Sequence, residues 1–149
     1  MPGGPTITPT DRSDNVISAG TAQVLTIPGL TTTIGGAVGT YTFGPISVAS
    51  TSFLFWYVSV GGVTGGATSP TIDFYFDYLG PDATTVIGSG VVHLTQFTGA
   101  GATFSNIGPA PIAGGGGFLI PTLAQIRAVV GSASGSPTFT GVKMIIVGR

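Results

Sequence analysis

From Val16 to the C-terminus, no stretch of the chain runs far without Gly, Pro, Ser or Thr, and this punctuation limits the possible folds more than any other feature. The 149 residues include 26 Gly and 11 Pro. Gly opens turn conformations closed to other residues, and Pro removes a backbone donor, so both interrupt helices. Between the breaks lie short apolar or alternating runs at residues 23–27, 39–43, 46–49, 52–60, 71–79, 84–87, 90–97, 102–105, 118–120, 125–130 and 138–147. Short strands with such frequent turns indicate a sandwich or barrel rather than βαβ units. The expected fold is all-β: an antiparallel β-sandwich, jelly-roll-like, spanning residues 15–149. Only "LAQIRAVV" has a helical look, and Val129, Val130 and Gly131 suit a strand better.

Residues 1–14 form a separate expectation. Pro2, Gly3, Gly4, Pro5 and Pro9 disfavour both helix and sheet. The segment also carries Thr6, Ile7 and Thr8, and three of the nine charged residues: Asp11, Arg12 and Asp14. It reads as an extended arm that docks on a partner.

Alternation with period two assigns faces. In residues 71–79, Ile72, Phe74, Phe76 and Tyr78 share one side and belong in the core, with Asp73, Tyr75 and Asp77 on the other. Residues 52–60 are apolar on both sides: Phe53, Phe55 and Tyr57 on one, Leu54, Trp56 and Val58 on the other. Such a strand must be covered on both faces. Leu54, Trp56 and Val58 are therefore expected to be buried by the fold or by a neighbouring subunit, and are taken as interface candidates.

A small motif occurs twice. "GGATSPTIDF" and "GSASGSPTFT" both place a flexible run before Ser-Pro-Thr and a strand-forming segment. Pro belongs at the first position of a strand or at an edge. Each motif should end a loop and launch a strand, a structural device without chemistry.

Charge then excludes several functions. Asp, Glu, Lys and Arg make up 6% of the chain, with no Glu and a formal net charge of −1, against about 25% charged residues in ordinary soluble domains. Arg12, Arg127, Lys143 and Arg149 cannot form the basic surface that nucleic acid requires. The most apolar run, Phe53 to Val60, is far shorter than the ~20 residues of a membrane-spanning helix. The N-terminus has neither the basic start nor the apolar core of a secretory signal. With no cysteine, disulfides and thiolate metal sites are excluded. An uncharged, hydrophobic domain tends to associate, so other protein subunits are expected to cover much of its surface.

Few residues carry candidate chemistry. Asp73 and Asp77 flank Tyr75, but their Cα atoms would stand about 13 Å apart on an extended strand, too far for a shared proton. They read as a wet face, with Asp77 paired to Arg127 or Lys143. His93 is the only histidine and lacks a nucleophile elbow nearby. "AGGGGF", Ala113 to Phe118, has neither the Lys nor the following helix of a phosphate loop. No catalytic residue, cofactor or metal is expected.

From Phe53 to Arg149 the order of features resembles small β-sandwich structural proteins of tailed-phage virions. The matching elements are Ser69-Pro70-Thr71, Ile72-Asp73-Phe74, Ile87-Gly88-Ser89, Thr98-Gly99-Ala100-Gly101, Ile126-Arg127-Ala128, Ser136-Pro137-Thr138-Phe139 and the closing Ile145–Arg149. The sequence departs from the pattern at the Gly80-Pro81-Asp82 turn, where Asp-Gly is more usual, and residues 1–52 lie outside it. The resemblance implies a non-enzymatic virion component: a head decoration (cement) protein, a head fibre or a tail part. Low charge, the doubly apolar strand and the arm favour decoration. The expected protein sits on the capsid exterior as a homo-oligomer, a trimer, and ties major capsid proteins together, with no nucleic-acid or membrane partner. Its interface would use Thr6, Ile7, Thr8, Asp11, Arg12, Asp14, Leu54, Trp56 and Val58. The alternatives are a tail or fibre component, or a carbohydrate-binding sandwich drawing on Trp56, Asp73, Tyr75, Asp77 and Tyr78.

Overall fold

A computed structural model describes residues 22–48, 51, 53–107, 110–111, 118–119 and 123–148. Its elements in chain order are β1 (Gln23–Leu25), β2 (Ile34–Gly35), β3 (Gly39–Ser47), β4 (Leu54–Val60), β5 (Gly62–Thr64), β6 (Thr71–Leu79), β7 (Val86–His93), β8 (Gly101–Ile107), β9 (Ala110–Pro111), β10 (Phe118–Leu119), β11 (Leu123–Gly131), β12 (Thr138–Thr140) and β13 (Lys143–Gly148). There is no helix among the described residues, and "LAQIRAVV" is strand β11.

Two four-stranded sheets make the body, in the orders β1-β13-β4-β8 and β3-β11-β6-β7. Every pairing within them is antiparallel. Counted along the chain, the first of these eight strands pairs with the last (β1 with β13) and the second with the seventh (β3 with β11). The third pairs with the sixth (β4 with β8) and the fourth with the fifth (β6 with β7). This nesting is that of one long hairpin rolled up, the arrangement of a jelly roll. Short strands β2, β12 and β5 add a small three-stranded sheet, and β9 pairs with β10.

Period-two alternation builds the core between the two sheets. β4 and β13 turn Leu54, Trp56, Val58, Met144 and Ile146 inward, while β6 and β11 supply Ile72, Phe74, Phe76, Tyr78, Ala124, Ile126, Ala128 and Val130. Trp56 meets Phe76 across the layers with ring centroids 5.8 Å apart. The Trp56 indole N–H has no acceptor among the described residues, so this side chain contributes packing rather than a polar contact. Fully burying one such side chain is worth roughly 1.5–3 kcal/mol.

Several expected boundaries differ. The expected runs 39–43 and 46–49 join in one strand that ends at Ser47: β3 passes through Gly44 and Pro45 beside a register shift between Ala124 and Ile126. The run 138–147 is divided at Gly141 between two sheets. Gly141 has φ +61°, and a Cβ there would lie 3.1 Å from the Gly61 Cα.

Both Ser-Pro-Thr motifs launch strands, β6 at Thr71 and β12 at Thr138. Their loops also pair with each other. The Thr68 N–H donates to the Ser134 carbonyl and the Ala133 N–H to the Thr68 carbonyl, each at 2.9 Å. The repeated corner is thus a joint between two loops. Gly65 permits this approach: it has φ +99°, and a Cβ would stand 2.4 Å from the Ser136 carbonyl oxygen.

Candidate functional site

The outer faces of the two main sheets differ in kind. On the β3-β11-β6-β7 sheet, register places Thr42, Arg127, Tyr75 and His93 in one row across four strands. The planar groups stack. The Arg127 guanidinium carbon lies 4.2 Å from the Tyr75 ring centroid, and the His93 ring is 4.5 Å from it at an interplanar angle of 12°. Since β6 lies between β11 and β7, Tyr75 is enclosed by its two neighbours.

The two aspartates expected on this face secure the ends of the row. Asp77 is fully buried and accepts from Arg127 Nε at 2.9 Å, Arg127 Nη2 at 3.2 Å, the Gly90 N–H at 2.7 Å and Gln125 Nε2 at 3.2 Å. Burial alone would push its carboxyl up. The hydrogen bonds from Arg127, Gly90 and Gln125, with the Arg127 charge, outweigh burial and hold it below the ordinary carboxylate value. Asp73 Oδ1 lies 2.8 Å from His93 Nε2, and Asp73 Oδ2 accepts from Gln96 Nε2 at 2.8 Å. Of the two partners expected for Asp77, the structure selects Arg127. Lys143 lies on the other sheet.

Chemically this network is closed. His93 has an orienting carboxylate, but no Ser or Thr hydroxyl is hydrogen-bonded to it among the described residues. The Arg127 fork is taken up by Asp77 and reaches Ser89 Oγ at 3.4 Å. No group of three potential metal ligands gathers among the described residues. The arrangement cross-links three strands and presents polar groups to water.

The outer face of the β1-β13-β4-β8 sheet is apolar. Val24, Val147 and Phe55 share one register row with Asn106, and Ile145, Tyr57 and Phe104 share the next. Val24 is 73% exposed, Phe104 64% and Phe53 60%, with Phe55 and Ile145 also exposed. Phe55 and Phe104 stack on each other with centroids 5.4 Å apart. A depression of about 510 Å³ opens beside Ala22, Phe53, Leu54, Phe55, Asn106 and Val147. Lys143, in line with Ser59 and Ala102, is the one charged residue among the described outward positions of this face.

This geometry corrects part of the sequence-based interface. Leu54, Trp56 and Val58 are 5%, 0% and 0% exposed and belong to the chain's own core, so the fold itself provides the covering they needed. The outward side of β4 is the opposite one, with Phe55 and Tyr57, and Phe53 just before it. Both sides are apolar, and alternation alone could not tell inside from outside. Phe104, Ile145 and Val24 were missed, although Ala102, Phe104 and Asn106 alternate outward along β8. Thr6, Ile7, Thr8, Asp11, Arg12 and Asp14 lie outside the described residues, as does most of "AGGGGF". No protein-family model matches the chain, and no curated protein matches it in sequence.

Proposed function

We propose that this chain is a non-enzymatic structural protein of a tailed-phage virion, a head decoration protein. It binds the capsid exterior as a homo-oligomer and ties neighbouring major capsid proteins together. The observation that carries this reading is the contrast between the outer faces: one is sealed at its centre by a polar network, with exposed Val86 and Ile87 at the start of β7, and the other displays stacked phenylalanines suited to protein contact. Contiguous exposed apolar surface of this kind marks interaction sites.

Jelly rolls serve in viral capsid proteins, lectins and cupins, and the fold alone does not choose among them. The side chains do. A sugar platform needs an open aromatic ring. Of the rings expected for that role, Trp56 and Tyr78 are buried and Tyr75 is stacked on both sides; the open rings of Phe53 and Phe104 lie at the opposite sheet from Asp73 and Asp77, the carboxylates expected to serve with them. The resemblance over residues 53–149 then favours a virion part. Its test is incubation of the full-length chain with undecorated heads, followed by copy counting and a rupture-temperature measurement. The expected result is regular outer occupancy and heads that rupture at higher temperature. A few copies per virion, confined to the tail, would replace this reading with the tail-component alternative.

A further inference from the structure

We infer that another copy of this chain covers the outer face of the β1-β13-β4-β8 sheet, with Phe55 and Phe104 at the centre of the contact. This deepens the proposed function, on whose self-association it rests, by naming the surface that pairs two copies; a face that meets itself closes as a two-fold dimer rather than the trimer expected from the sequence.

Charge selects the occupant. Around a symmetry axis identical side chains converge, so a homotypic face must tolerate its own charges. This face places Lys143 at one end, beside Ser59 and Ala102, and no charge among its described central positions. Two such faces meet without repulsion at their centres. A partner chosen by electrostatic complementarity would find nothing here to read.

Area agrees. The exposed parts of Val24, Phe53, Phe55, Phe104 and Ile145 together present about 500 Å² of apolar surface, near the upper end of the largest patch on a typical monomer. A stable interface takes about 800 Å² from each partner. Tyr57 and Val147, with Ala102, Asn106 and Lys143 around them, lie on the same face to supply the remainder. Its composition also fits: aromatic side chains in the middle and polar ones at the margin, as protein interfaces are built. Four-stranded sheets stack face to face at about 10 Å through alternating apolar side chains. The inner face of this sheet already packs in that way, and its outer face offers the same pattern.

The experiment uses the purified full-length chain without heads. Its mass is measured by light scattering over a range of concentrations, for the wild type, Phe104→Asp, and a control, Thr40→Asp, on the exposed edge strand of the polar sheet. The expected wild-type mass is twice the monomer mass, because a face that meets itself closes as a two-fold pair. Phe104→Asp should weaken association by roughly tenfold or more, and Thr40→Asp should not. Because the chain has no cysteine, single thiols give a second measurement if the Asp variant does not fold. An Asn106→Cys thiol, beside Phe55 on the same face, should be shielded from a maleimide dye at high concentration and exposed on dilution, whereas a Thr40→Cys thiol should react at both. A monomeric wild type at every concentration, or an Asn106→Cys thiol as reactive as the Thr40→Cys thiol, overturns the inference. An oligomer that loses mass with Phe104→Asp yet never binds heads would support the inference and remove the proposed function. A monomer that decorates heads would do the reverse.

Discussion

Asp77 is the residue on which the polar face depends. Its carboxylate has left water entirely and is compensated by four hydrogen bonds from three residues. Removing one member of a buried pair strands the other, at a cost of about 3–5 kcal/mol when both are deeply buried. The Arg127 side chain keeps 25% of its exposure, so Asp77→Ala should cost less, about 2–3 kcal/mol by chemical denaturation. The pH dependence has a definite sign. A carboxyl held below its ordinary value in the folded state stabilises the protein above the unfolded pKa of about 3.9, and that stability is lost as pH falls through the lower folded value. Melting temperature should therefore stay level from neutral pH to about pH 4 and then drop. Asp77→Asn should begin lower and drop less. Some acid slope should remain through Asp82, which is held low by the Thr85 hydroxyl and by the amides of Thr85 and Thr84. An Asn variant with the full wild-type slope would place the titration elsewhere.

At the scale of elements, local chemistry was legible in the sequence and long-range pairing was not. The alternation of β6 put Ile72, Phe74, Phe76 and Tyr78 inside, and they are buried. Each Ser-Pro-Thr was expected to launch a strand, and each does. By contrast, β4 carries apolar residues at both parities. Its inward side is set by Trp56 meeting Phe76 from the other sheet, a contact no local pattern contains. Strands as short as β2 and β5 have no periodicity to detect. The mutual pairing of the two corners was hidden for the same reason: Thr68 and Ser134 are far apart in the chain. That joint predicts a glycine effect. Gly65→Ala forces a residue with a side chain into φ +99° and puts its Cβ 2.4 Å from the Ser136 carbonyl oxygen. Strain and overpacking together should cost about 3 kcal/mol. Gly66→Ala, at φ +62° with nothing within 4 Å of the added Cβ, isolates the conformational part and should cost about 1 kcal/mol. Equal losses for the two variants, measured by denaturant midpoint, would show that the close approach of the loops is unimportant.

For the whole molecule, the rolled hairpin lets stability be tested apart from the proposed attachment. The first described strand, β1, starts at Gln23 and is held by β13, so removing residues 1–14 takes no described strand from either sheet. Fixing a backbone segment on a partner costs about 1–2 kcal/mol per residue ordered. Backbone hydrogen bonds to the edge of a neighbour's sheet can offset this cost by strand addition. Pro2, Pro5 and Pro9 confine such pairing to short stretches such as Thr6, Ile7 and Thr8. A chain starting at Asn15 should therefore melt like the full-length protein and keep its oligomeric mass, because the apolar sheet face is intact. Its occupancy of undecorated heads at equal concentration should fall by roughly tenfold or more, the loss expected when a few backbone hydrogen bonds are removed. Equal occupancy would exclude the segment from attachment. A lower melting temperature would instead assign residues 1–14 to the stability of the sandwich itself.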